Sequence, residues 1–199
     1  DGALTDGKPV IVQANGTVKA VGETTTAGAV QSGTNLTLSG SAEVIESCYD
    51  STNNKVLVFY KLTNNVAYLV AGEVSSTGIT YGTAVQLETN LSNYRPALVH
   101  DSKNGRNIIA YQRTTGGLVA KIATITSGTS ITLSSSDYTV ETGDCFDVSG
   151  VYDATNDAII FWFNDTNSRL RYATGYIGGT TASNASWNLV QGIEYIDNV

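Results

Sequence analysis

The stretch Tyr49-Asp50-Ser51-Thr52-Asn53-Asn54, running straight into Lys55-Val56-Leu57-Val58-Phe59-Tyr60, occurs three times in this chain in altered form. Its counterparts are His100-Asp101-Ser102-Lys103-Asn104-Gly105 before RNIIAY, and Tyr152-Asp153-Ala154-Thr155-Asn156-Asp157 before AIIFWF. The aspartates lie 51 and 52 residues apart. The third residue after each aspartate is asparagine (Asn53, Asn104, Asn156), the seventh a large aliphatic (Leu57, Ile108, Ile160) and the tenth aromatic (Tyr60, Tyr111, Phe163). So many typed positions at a constant period mark an internal repeat of about fifty residues. A weaker echo, AVQSGTNL at 29–36, matches AVQLETNL at 84–91 in six of eight positions, which makes the N-terminal stretch a part-repeat.

Asp-x-x-Asn followed by Asn, Gly or Asp is turn chemistry, because short Asx side chains bond the local backbone and tolerate left-handed geometry. Asp50, Asn53, Asp101, Asn104, Asp153 and Asn156 are therefore read as the turn joining two strands of each repeat. VLVFY and AIIFWF are continuously apolar and rich in branched and aromatic residues, the pattern of a strand covered on both faces. A polar loop follows each, and then VAYLVAGEV, LVAKIATI or RLRYATGYI, read as half-exposed strands. ITYGTAVQL, ITLSSSDYTV and ASWNLVQ come last and suit an outer edge.

Four antiparallel strands in about fifty residues is the spacing of a β-propeller blade. The expected fold is all-β, a propeller or an arc of one. A β-sandwich is the competing architecture, but it gives no reason for typed residues to recur three times at one interval. The expected divisions are a part-blade at 1–40, blades at 41–92 and 93–142, and a blade plus a terminal strand at 143–199. Closure has two readings. Either GKPVIVQ, GTVKAVG and AGAVQS join the terminal GIEYI in a fourth blade, or the remaining blades come from further chain or another subunit.

Composition removes several functions. Eleven basic against eighteen acidic side chains give a net charge of −7 in 199 residues, so a phosphate-neutralising surface and a nucleic-acid partner are not expected. The longest apolar runs, 66–71 and 158–163, are far short of the roughly 20 residues of a spanning helix, so no membrane insertion is expected. A chain opening Asp1-Gly2-Ala3 with no methionine reads as trimmed or as a segment of a longer polypeptide. Cys48 and Cys145 are too few for a disulfide framework and are read as free, buried thiols.

No catalytic, cofactor or metal residue emerges. Calcium would need six to eight oxygens, and none of the Asp turns has the acid spacing, central Gly and terminal Glu of a calcium loop. His100, the only histidine, fills the slot of Tyr49 and Tyr152, and no GxSxG elbow accompanies it. A glycan-degrading enzyme would need only two carboxylates, but no sialidase-type Ser-x-Asp-x-Gly-x-x-Trp box is present. Tyr49, Tyr60, Tyr111, Tyr152 and Trp162 sit at or near repeated positions and are expected to pack blade on blade. Tyr81, Tyr138, Tyr176, Trp187 and Tyr195 are less regular and make better candidates for contact with a glycan or neighbouring subunit.

TDGKPVIVQANGTVKAVG (5–22), with YDSTNNKVLVFY, YDATNDAIIFWF and the trailing GTAVQL strand, resembles the repetitive tail-fibre and tail-tip virion proteins of tailed bacteriophages. The resemblance implies a structural component of the particle, located in the virion, with other virion subunits as partners and a homo-oligomeric assembly. It further implies attachment to a host-surface glycan or protein, and it implies no catalytic residue. The loops between second and third strands occupy the same place in each repeat, so Asn64, Asn65, Arg113, Thr115, Asn164 and Asn167 are the expected contact rim. A polysaccharide-cleaving enzyme and a secreted bacterial adhesin or scaffold are the alternatives.

Overall fold

The computed structural model describes residues 10–12, 18–20, 36, 38, 40–75, 78–179 and 185–195. The chain divides into two units, 1–32 and 33–199. In the first, β1 (Val10–Val12) and β2 (Val18–Ala20) form an antiparallel pair with Val10 opposite Ala20.

The second unit holds three antiparallel sheets, and no helix occurs among the described residues. The first sheet comprises β3 (Ala42–Asp50), β4 (Lys55–Leu62), β5 (Ala67–Ser75), β6 (Gly78–Tyr81) and β7 (Val85–Glu88). The second comprises β8 (Ala97–Asp101), β9 (Arg106–Gln112), β10 (Leu118–Ser127), β11 (Ser130–Leu133) and β12 (Tyr138–Glu141). The third comprises β13 (Cys145–Asp153), β14 (Ala158–Asp165), β15 (Leu170–Gly178) and β16 (Ser186–Tyr195). Each is a meander of neighbouring strands. In the first two sheets the fourth strand is split: β6 and β7 both pair with β5, and β11 and β12 both pair with β10. At the second break Ser134 takes over the ladder, its Oγ accepting from Ile122 N–H while its own N–H donates to Ile122 O.

Gly192–Tyr195 is the end of β16 and pairs with β15, Tyr195 opposite Arg171. Two register shifts keep the ten-residue strand on its long partner.

The sheets stack face to face. All seven residues of β9 are buried, because alternate side chains serve opposite neighbours. Ile109 and Tyr111 pack with Leu57 and Phe59 of the first sheet, whereas Ile108 and Ala110 pack with Phe161 and Phe163 of the third. That double coverage is the physical reason for an unbroken apolar run, and fully burying each such side chain contributes about 1.5–3 kcal/mol. Tyr60, Tyr111 and Phe163 are all buried: Tyr60 and Tyr111 point away from the sheet that follows their own in sequence, and Phe163 packs toward the sheet that precedes its own.

Three expectations are corrected. The third strands β5 and β10 are mostly buried rather than half-exposed: β10 lies between two stacked sheets, whereas β5 packs on the second sheet through Ala67, Leu69 and Ala71 and is covered on its other face by the cluster of Tyr60, Leu62 and Val70 with Leu36 and Leu38. β14 is fully covered on one face only: Ile159, Phe161 and Phe163 are buried, while Ile160 and Trp162 on the other face are half-buried. Tyr49 does not pack between sheets but is exposed.

Candidate functional site

The three Asp turns lie at one end of the sheets. Asp101 Oδ1 accepts from the N–H groups of Lys103 and Asn104, both at 3.0 Å, and Oδ2 accepts from Asn104 Nδ2 at 2.7 Å. Asp153 repeats this with Thr155 N–H, Asn156 N–H and Asn156 Nδ2, and Asp50 with Asn53 N–H and Nδ2. The next position turns left-handed in every case, with φ of 54° at Asn54, 62° at Gly105 and 54° at Asp157. The repeated residue types thus satisfy a tight turn. No metal-holding cluster of His, Cys, Asp or Glu occurs among the described residues.

The turns also join sheet to sheet. Asp50 is buried, and Asn107 Nδ2 of the second sheet donates to its Oδ2 at 2.9 Å. Asn107 Oδ1 can only accept, so His100 Nδ1 donates to it at 3.0 Å, which leaves His100 Nε2 facing Ser51 Oγ at 3.2 Å and Asp50 Oδ1 at 3.7 Å. In the following repeat Tyr152 takes the place of His100. Its hydroxyl bonds Asp157 Oδ1 at 3.0 Å, and burial, together with the carboxylates of Asp157 and Asp101, pushes the phenol above its ordinary pKa. The ring ahead of each of these two Asp turns thus reaches the aspartate of the preceding repeat.

At the opposite end lie the β4–β5, β9–β10 and β14–β15 loops and the connections between sheets. Here Asn65 (φ 66°), Leu91, Ser92, Asn93, Tyr94 and Thr114 line a cleft of about 360 Å³. Backbone bonds fix its walls: Leu91 N–H donates to Asn65 O at 3.1 Å, Ser92 N–H to Gln112 O at 3.0 Å and Thr114 N–H to Asn90 O at 2.9 Å. Tyr94 is exposed and held edge-on against Phe146, ring centroids 4.6 Å apart. Ser92 Oγ is buried with no hydrogen-bond partner among the described residues. An aromatic face beside amide and hydroxyl groups is the chemistry that holds a sugar or a polar peptide.

The expected rim residues divide. Asn65 lines this cleft, and Arg113 and Thr115 flank Thr114, which lines it too. Asn64 is exposed and caps its own loop, its Oδ1 accepting from Val66 N–H at 3.2 Å. Asn164 and Asn167 belong to the third sheet's loop and do not line the cleft. That loop is built on Asp165, which accepts from Asn167 and Arg169 N–H and pairs with the Arg169 guanidinium at 2.8 Å. Arg113 is not free for a ligand. Its guanidinium bonds Glu88 Oε2 at 2.7 Å and Asp137 Oδ2, while Lys121 holds Asp137 Oδ1 at 2.9 Å.

Burial would raise the Glu88 carboxyl, but Thr89 N–H and Arg113 pull it below its ordinary value; Asp137 is likewise lowered against its burial, by Lys121 and Arg113. Glu141 is the counterpart of Glu88 in the second sheet and receives Arg171 of the third at 2.9 Å. Both glutamates also accept from the next two N–H groups, Thr89 and Asn90 or Thr142 and Gly143. Neither Tyr94 nor this second carboxylate joint was expected from the sequence. The signals were present in LETN (87–90) and VETG (140–143), and in an aromatic set within Leu91-Ser92-Asn93-Tyr94-Arg95-Pro96.

The less regular aromatics also divide. Trp187 is buried, Tyr138 donates its hydroxyl to Ala185 O at 2.6 Å, Tyr81 packs against the outer cluster of the first sheet, and Tyr176 is exposed. The side chain of Tyr195 lies outside the described residues. No protein-family model matches this chain, and no curated protein matches it.

Proposed function

We propose that this chain is a structural module of a tailed-phage virion, belonging to a tail or tail fibre, whose sheets are blades of a β-propeller or propeller arc and whose loop rim contacts a host-surface glycan or protein. The observation that carries the reading is the cleft at Tyr94: an exposed aromatic ring, two asparagines and a threonine mounted where two stacked sheets hold the backbone rigid. The propeller reading is supported by the repeated four-strand meander, stacked so that β3 lies against β8 and β8 against β13. The module is read as a scaffold for binding rather than catalysis. The repeated carboxylates are consumed in turns and joints, each with its donors already supplied, and that leaves no pair standing open in the cleft.

The test is attachment. Tyr94→Ala and Asn65→Ala are made in the particle or full-length chain, and adsorption to host cells is compared with wild type while circular dichroism checks the fold. Adsorption reduced about tenfold or more is the expected result, the size of effect that an anchoring aromatic gives. Unchanged adsorption counts against the reading, and release of oligosaccharide from host polysaccharide favours a glycan-degrading enzyme in its place.

A further inference from the structure

The two ends of the stack are the two halves of one joint. At each internal joint the trailing face of one sheet is covered by the ring-bearing face of the next: His100 reaches Asp50, and Tyr152 reaches Asp101. The turns touch as well, Lys103 Nζ bonding Asp157 Oδ2 at 2.5 Å, and Gly105 lying where a Cβ would stand 2.9 Å from Thr52 Cγ2. The outer face of the third sheet is only partly covered. Val99, two residues before Asp101, is 5% exposed, whereas Val151 at the same place before Asp153 is 45% exposed. Leu57 and Ile108 are fully buried, whereas Ile160 is half-buried. No ring from a following sheet covers Asp153 among the described residues.

The complementary half stands on β3 alone, the first strand of the first sheet, because Tyr60, Leu62 and Val70 elsewhere on that face are already buried with Leu36 and Leu38 packed against them. Tyr49 is 54% exposed and Ile45, on the same face of β3, 65%. Tyr49 already has the posture of Tyr152. Its hydroxyl bonds Asn54 Oδ1, five residues on, as Tyr152 bonds Asp157, and an aliphatic residue, Val56, pairs across from it as Ile159 does from Tyr152.

We infer that the outer face of the third sheet docks the first sheet of a second copy of this chain, head to tail, with Tyr49 of one copy over Asp153 of the other. The chain's own Tyr49 cannot serve, because the second sheet stands between the two faces. Residues 1–32 cannot supply the ring either, since they contain no Tyr, Phe, Trp or His. A second copy carries both the ring and the aliphatic neighbour, and its docking continues the stacking of β3 on β8 and β8 on β13. Such an interface is heterologous, so copies add into a ring or a filament according to whether the rotation closes. This inference does not depend on what the loop rim binds.

The experiment uses the 199-residue chain with two exposed-site substitutions, Ile45→Arg and Val151→Arg, and measures mass by sedimentation and light scattering over a range of concentrations, with circular dichroism confirming the fold. Wild type is expected to associate with concentration, and each variant alone to associate at least about tenfold more weakly, because each buries a charge in the joint. An equimolar mixture is expected to form a one-to-one dimer and stop, since Ile45→Arg retains a good third-sheet face and Val151→Arg a good first-sheet face. Tyr49→Phe, which removes only the hydroxyl, is expected to weaken association without abolishing it. A wild type that stays monomeric at its highest soluble concentration overturns the inference. So does association unaffected by either arginine, or a mixture that remains monomeric.

Discussion

Asn107 of the second sheet donates its side-chain amide to the buried carboxylate of Asp50 in the first, 2.9 Å away. The other repeats place Val56 and Ile159 at this position, so the amide is a local addition that brings a donor to a desolvated charge. Asn107→Ala is expected to cost about 2–3 kcal/mol, the range for a buried charged group losing a donor. Val56→Ala should cost less. Urea denaturation of both variants checks the order.

The same side chain has different worth at the end of the stack and inside it. Leu57→Ala and Ile108→Ala should each cost about 2–5 kcal/mol, as for any fully buried aliphatic. Ile160→Ala should cost roughly half as much in dilute protein, where that face is only partly covered. Equal losses at all three sites in dilute solution would refute that partial cover.

Gly117 has φ +82°, and a Cβ there would run into the backbone carbonyl of Glu141 and the carbonyl group of Thr142. Neither obstacle can move as a side chain would. Gly117→Ala is expected to destabilise by about 2 kcal/mol or more, combining left-handed strain with overpacking. Thermal melts will show this as a clear fall in Tm.

Acid should loosen the joint at Arg113. Glu88 and Asp137 have carboxyls held below their ordinary values of 4.5 and 3.8, so each contributes stability that is fully present above those values. That contribution disappears as pH falls through the lower folded-state values. Glu88→Gln should cost about 1 kcal/mol or less at neutral pH, the scale of a partly exposed ion pair, and should flatten the fall in stability below about pH 4. Stability measured against pH for the variant and wild type distinguishes the two slopes.

Both cysteines should be inert in the folded protein. Burial pushes the Cys48 thiol up to about 12, with Asp50 and Glu46 adding to it, and burial likewise pushes Cys145 up to about 12. At pH 8 the thiolate fraction is then about 10⁻⁴, so a thiol reagent should modify native protein at least about a hundredfold more slowly than urea-unfolded protein. Rapid labelling of Cys48 would show that the first joint opens readily.

The turn and the strand that follows it were legible because their chemistry is local. An aspartate that must bind its own third neighbour, and a left-handed position just before an apolar run, leave typed residues at fixed offsets. The second carboxylate joint was harder to see, because Glu88 finds its partner 25 residues away in Arg113, and Glu141 finds Arg171 in the strand of another sheet. Their arginines therefore share no offset. The exposure of Tyr49 could not be read at all from its own repeat, where it looks like Tyr152; it follows from which sheet happens to lie outermost. Arg113 looked available for the same reason, since a loop cation carries no mark of the two carboxylates it will meet.

The breaks at Gly82–Ala84 and Ser134–Asp137 give the fourth strand a role beyond geometry. A long straight border would offer a row of unmet amides and carbonyls to any passing chain, whereas two four-residue pieces offset by a kink provide little that another strand could copy. Growth by lateral strand addition, the route to fibrous precipitates, is thereby discouraged along that flank.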